Sequence, residues 1–139
     1  MPDSTCDASI RVRYAETDKM GVAYHANYLM WFEVGRVELL RNMGFVYRDL
    51  EREHDCHLPV VDVRIRYKAP AFYDDELIIR TRLKNVRSSF LLFSYEVLRR
   101  GEDGILAEGE TTHIVVNSKM EKTPLPEKYT ESFAAAIAK

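Results

Sequence analysis

Asn27-Tyr-Leu-Met-Trp-Phe-Glu-Val-Gly-Arg-Val-Glu-Leu-Leu-Arg-Asn-Met-Gly44 is the stretch that decides the fold. Its residues favour helix from Tyr28 to Met43, with Asn27 placed to cap the N-terminus and Gly44 to cap the C-terminus. The apolar residues Tyr28, Leu29, Met30, Trp31, Phe32, Val34, Val37, Leu39, Leu40 and Met43 cover most of the circumference. A helix without a polar stripe is predicted to be buried on nearly all sides. Something must wrap around it, and the flanking sequence reads as a sheet.

Upstream, Ile10 to Tyr14 alternates Ile10, Val12 and Tyr14 with Arg11 and Arg13, the period-two pattern of a half-buried first strand. Downstream, Val46 to Glu53 predicts a short helix and His54 to Leu58 a connection. Val61, Val63, Ile65 and Tyr67 then alternate with Asp62, Arg64, Arg66 and Lys68. Pro70 to Asp75 supplies turn chemistry before a strand over Leu77 to Val86. Phe90 to Arg100 and Ile105 to Asn117 are β-rich and joined across Gly101 to Gly104, a loop of hairpin length. A buried helix and an antiparallel meander predict an α+β domain whose long edge strands invite pairing with a second copy.

At 139 residues, 46% hydrophobic and 30% charged, the chain has the proportions of one domain, residues 1–139, with a core at about 9–118 and a C-terminal tail at 119–139. No apolar stretch approaches the roughly 20 residues of a membrane span, and the acidic N-terminal residues do not form a signal peptide, so a cytoplasmic location is expected. Cys6 and Cys56 are expected to be reduced thiols. The net charge of -2 conceals a segregation: residues 58–100 hold nine Lys/Arg against five Asp/Glu, or +4, while each flank sums to -3. That middle segment can attract an anion, or its charges can be an ordinary solvated sheet face.

Serine-hydrolase elbows, P-loops, dinucleotide fingerprints and H-E-x-x-H are absent. His54-Asp55-Cys56-His57 brings two histidines close but lacks the convergent set a metal needs, so no metal is expected. His113, within a strand, reads as a hydrogen-bonded histidine. The chemistry-bearing candidate is the irregular polar loop that leads into the long helix. A helix start carries free N–H groups and partial positive charge, able to polarise a carbonyl oxygen and hold the oxyanion of acyl transfer. His25 and Ala26 would supply those N–H groups, and Asp18, seven residues upstream, can attack a carbonyl or activate water. A loop aspartate equally serves as a turn or capping residue.

Tyr14-Ala-Glu-Thr-Asp18-Lys-Met-Gly21-Val-Ala-Tyr24-His25-Ala-Asn27-Tyr28, followed by Phe32-Glu33-Val-Gly-Arg36-Val-Glu38-Leu-Leu-Arg41, closely resembles the 4-hydroxybenzoyl-CoA thioesterase family. It looks most like the branch of small bacterial acyl-CoA thioesterases associated with the Tol-Pal gene cluster. The resemblance continues through Tyr67-Lys-Ala-Pro70-Ala-Phe-Tyr-Asp-Asp75 and Ser88-Ser89-Phe90, nearly the whole chain. It implies a hotdog fold, a five-stranded antiparallel sheet around one long central helix, working as a homodimer or homotetramer with active sites at the subunit interface.

By the same resemblance the reaction is hydrolysis of an acyl-CoA without a cofactor, CoA being part of the substrate. Asp18 falls on the family's catalytic aspartate, nucleophile or general base, and His25 where the family uses a backbone N–H for the thioester oxygen. The His25 side chain and Tyr14 are implied in orienting substrate. Arg87, Ser88 and Ser89 match a CoA-binding segment, with Lys68, Arg64 and Arg66 as further phosphate candidates. Glu33, where other relatives carry a helix glutamate, is expected to pair with Arg36 instead. Phe32, Phe45, Tyr47 and Phe72 either line an acyl pocket or fill the core. A hotdog dehydratase and a non-catalytic acyl-CoA-binding or scaffold protein are the competing readings, and no nucleic-acid motif is present.

Overall fold

The computed structural model describes residues 4–138. Five strands, β1 (Thr5–Arg11), β2 (Val60–Tyr67), β3 (Glu76–Arg87), β4 (Phe90–Arg99) and β5 (Ile105–Ile114), form one antiparallel sheet in the order β1-β3-β4-β5-β2. The helices are α1 (Asn27–Asn42), α2 (Tyr47–His54) and α3 (Glu127–Ile137). Alternation in the central strands sends Leu77, Ile79 and Leu83, Leu91, Phe93 and Val97 to one buried face, and Arg80, Arg82 and Lys84 to the other. Each such buried side chain contributes about 1.5–3 kcal/mol of burial energy. α1 packs on β1, β3 and β4, and Phe32 reaches β5, so the sheet curls around the helix in the hotdog manner.

Two glycines set that close approach. A Cβ at Gly109 would stand 2.6 Å from the Arg64 carbonyl and 2.8 Å from Phe32 Cε2. One at Gly35, inside α1, would collide with Thr81 Oγ1 and sit 2.9 Å from Ile79 Cγ2. Alanine is the better helix former, by about 1 kcal/mol, yet here it must push the helix off the sheet. Gly35→Ala is therefore expected to destabilise the protein by about 1–3 kcal/mol, the usual cost of overpacking, measured as a lowered urea midpoint.

Several expectations are corrected. The N-cap of α1 is Ala26, without a side-chain cap bond, and Asn27 is the first helical residue, its Nδ2 donating to the Glu16 carbonyl at 2.7 Å. Gly44, at φ +91°, does close the helix, with Gly44 N–H donating to the Arg41 carbonyl and Phe45 N–H to the Leu40 carbonyl. The first strand runs over Thr5–Arg11 rather than to Tyr14, since Tyr14–Glu16 winds into a 3-10 turn. Burial of α1 is not all-round: Leu29, Met30 and Val34 are exposed along one stripe. β2, despite its alternation, is an edge strand exposed on both faces, with Val60, Val61, Val63 and Tyr67 among its open side chains.

The segment after residue 118, expected as a tail, carries α3, whose Tyr129, Phe133 and Ala136 join the core against Phe45. The expected Glu33–Arg36 ion pair does not form. Arg36 turns under α1 and heads a buried polar row: Arg36 donates to Tyr95 Oη at 3.5 Å, Tyr95 and Thr111 hydroxyls meet at 2.6 Å, Thr111 Oγ1 meets His113 Nε2 at 2.8 Å, and His113 Nδ1 donates to the Leu58 carbonyl at 2.9 Å. Folding also disperses the charge segregation. Arg64 pairs with Asp62, Lys68 with Glu108, Arg80 with Asp7, Lys84 with Glu110, Arg99 with Asp75 and Arg100 with Glu76. Among the described residues no helix is long and apolar enough to cross a membrane.

Candidate active site

The loop between β1 and α1 is held by its own backbone. Asp18 N–H donates to the Val22 carbonyl at 2.8 Å and Gly21 N–H to the Asp18 carbonyl at 2.9 Å, with Gly21 at φ +81°, where glycine carries no strain. Asp18 Oδ1 accepts the Met20 N–H at 2.8 Å. One carboxylate oxygen is thus engaged by the turn.

At the helix start, the Tyr24 carbonyl accepts from Asn27 N–H at 3.0 Å, and the His25 carbonyl accepts from Tyr28 N–H at 3.4 Å and from the Tyr67 hydroxyl at 2.8 Å. A trans peptide points its N–H opposite to its carbonyl, so the His25 and Ala26 N–H groups face away from the helix body. Among the described residues no protein acceptor takes either of them. They are the free donors of the helix N-terminus, at its positive end.

Glu16 ties loop to helix, a role the sequence reasoning missed. It is 7% exposed; Oε1 accepts Arg13 N–H at 2.8 Å, Oε2 accepts the Trp31 indole N–H at 3.1 Å, and its carbonyl accepts both Tyr24 N–H and Asn27 Nδ2 at 2.7 Å. Burial alone would raise its pKa, but the Arg13 and Trp31 donors outweigh it and hold the carboxyl below the ordinary glutamate value. The signal available in sequence was Glu16 three residues after Arg13, at capping-box spacing.

Asp18, His25 and Lys68 come together on a hollow of about 330 Å³, walled by Met20, Val22, Tyr28 and Tyr67. Tyr14 does not join them: it is 78% exposed, edge-on to Tyr73 at 5.9 Å. Nor do Arg87, Ser88 and Ser89. The register Val60–His113–Leu91–Val86 puts them level with the start of β2, across β5 and β4, whereas the hollow lies past its end, about 20 Å along the strand direction at 3.3 Å per residue. Ser89 Oγ donates to the Thr123 carbonyl at 3.1 Å and the Ser88 carbonyl accepts Leu125 N–H at 2.6 Å, so both hold down the chain that leads to α3. Phe32, stacked on Tyr95 at 4.1 Å, and Phe45, packed on α3, belong to the core. Tyr47 is partly buried against the core, and Phe72 is open at the surface under the Arg99 guanidinium. Among the described residues no three His, Cys, Asp or Glu side chains are placed to hold a metal ion.

Comparison with known proteins adds an independent line. Residues 12–137 match the profile of the family described as the thioesterase-like superfamily. The Bacillus subtilis protein YneP is 40% identical over 111 residues, 79% of this chain and 78% of the relative. The acyl-CoA thioester hydrolase YbgC of Escherichia coli O157:H7 is 34% identical over 125 residues, 89% of this chain and 92% of the relative. Among solved structures, the DHNA-CoA thioesterase of Staphylococcus aureus superposes with a TM-score of 0.91 at 30% identity, covering 96% of this chain and 91% of that one.

Proposed function

The chain belongs to the thioesterase-like superfamily, and from that premise we propose that it is a thioester hydrolase that cleaves an acyl-CoA to the free acid and CoA. One observation carries the reading: a carboxylate, Asp18, shares a hollow with a helix start whose His25 and Ala26 N–H groups have no internal acceptor. In this reading the thioester oxygen sits at the His25 N–H, with the Ala26 N–H of the next peptide beside it as a second donor. Asp18 either attacks the carbonyl carbon, forming an anhydride that water then opens, or takes a proton from a water that attacks directly. On either route the carbon–sulfur bond breaks, and the sulfur leaves as thiolate and is protonated. The donors act on the developing oxyanion, the charge that grows most in the transition state.

Lys68 borders the hollow and suits a CoA phosphate, and the reading needs no cofactor beyond the substrate. Arg87, Ser88 and Ser89, remote within one chain, fit the same role toward the hollow of a second copy. The bare edge of β2 and the exposed Leu29, Met30 and Val34 support such an assembly, a homodimer or homotetramer with sites at its interface. The reading gives the His25 ring, exposed beside the hollow, the role of orienting substrate, and the proposed acyl-CoA substrate favours a cytoplasmic location.

The test is a panel of short, long and aromatic acyl-CoAs and acyl-carrier-protein thioesters with thiol detection. Release of free thiol from at least one member is expected. An enoyl thioester formed without thiol would assign a dehydratase, and tight binding without turnover a binding protein.

A further inference from the structure

We propose that Tyr67 is a positioning residue for this reaction: its hydroxyl, on the His25 carbonyl, fixes the His25–Ala26 peptide and thereby the aim of the Ala26 N–H at the thioester oxygen. The inference rests on the thioesterase reading and adds to it a residue from β2, 42 positions along the chain from His25.

The His25 carbonyl has two donors. The helical one, Tyr28 N–H, is long at 3.4 Å, while the Tyr67 hydroxyl stands at 2.8 Å, so the shorter and firmer restraint comes from the sheet. Carbonyl and N–H of one trans peptide are rigidly opposed, so holding the carbonyl holds the Ala26 N–H. This matters because the helix start lacks the usual device: Ala26 has no side chain to cap it, and no side-chain cap bond forms.

The Tyr67 ring is itself fixed. It meets Tyr28 edge-on at 5.0 Å and His25 at 6.3 Å, and its backbone is paired to Ala107 of β5. The phenol is protonated at neutral pH in any case, and burial pushes its pKa further up, so the hydroxyl is available as a donor. An oxyanion donor is effective when it is aimed before the charge develops, so a restraint on the peptide acts on the rate and not on ground-state binding.

Tyr67→Phe removes only the hydroxyl and leaves the ring in place. Measured on the acyl-CoA that the wild type turns over fastest, the variant should lose about two- to tenfold in kcat, the worth of one hydrogen bond, with KM unchanged. Its melting temperature should fall by no more than a few degrees, because the residue is 46% exposed and only one hydrogen bond is lost. In a 1H–15N spectrum the Ala26 amide resonance should move. A wild-type kcat in the variant, a rise in KM at constant kcat, or a kcat loss with an unmoved Ala26 resonance would each overturn the proposal. If the wild-type protein releases no thiol at all, it is the hydrolase reading that falls, while the Ala26 resonance still reports whether the hydroxyl fixes the peptide.

Discussion

Asp18→Asn is expected to lower kcat by about a hundred- to ten-thousandfold with little change in KM or in folding stability. Asparagine is nearly isosteric, and its side-chain oxygen can still accept the Met20 N–H that closes the turn, so the loop keeps its shape. What is lost is chemical. An amide neither takes a proton from water nor forms the anhydride, so both routes open to Asp18 are closed together. Steady-state kinetics beside a urea titration check this, and full turnover by the variant across the substrate panel would remove Asp18 from the mechanism.

The second large effect is on acid stability. Burial, with a further push from the Arg36 cation, lowers the pKa of His113 to about 4 despite the opposing bond to the Leu58 carbonyl. The bonds on its two nitrogens explain why the neutral ring is wanted: Nδ1 must donate to a carbonyl, which leaves Nε2 to accept from Thr111. An unfolded histidine binds its proton near pH 6.5, the folded one only near 4, so between those values the unfolded chain holds more protons. Stability is therefore complete above about pH 6.5 and falls as the pH drops toward 4, by up to about 3 kcal/mol. Urea midpoints across this range should show the slope, and His113→Gln should flatten it. Glu16, whose folded pKa lies below the ordinary value of 4.5, starts to lose its contribution only near that pH, at the lower end of the histidine window, and loses most of it below. An unchanged slope in the glutamine variant would place the acid sensitivity elsewhere.

The long helix, the β3–β4–β5 meander and the Asp18 loop were legible because each rests on local signals: apolar density, period-two alternation, and a glycine turn before a helix start; β2, expected in the same meander, instead pairs with β5 at the edge of the sheet. The misreadings have local causes too. β2 alternates cleanly, yet alternation says nothing about whether a strand has a neighbour on both sides, and this one has β5 alone. α3 was readable from Tyr129, Phe133, Ala136 and Ile137, spaced four, seven and eight after the first, with three consecutive helix-favouring alanines, a local signal that the expectation of a tail overlooked. In the site, Asp18 and His25 stand in one loop and could be paired by inspection. Tyr67 could not, since only the β2–β5 pairing brings it over the helix start. The +4 segment is offset in part from the flanks, as Arg80 is by Asp7 and Lys84 by Glu110, contacts that no local reading could pair.

The polar row beneath α1 also bears on how the chain recognises its own correct packing. Apolar layers such as Phe32 on Tyr95 tolerate sliding, because one greasy contact resembles the next. The row does not. Arg36 can only donate and the Leu58 carbonyl can only accept, so the hydroxyls between them have one consistent order, from guanidinium through Tyr95, Thr111 and His113 to the backbone. A helix seated one turn away would leave that sentence without its first or last word, and the address at which the Asp18 loop is delivered would be wrong.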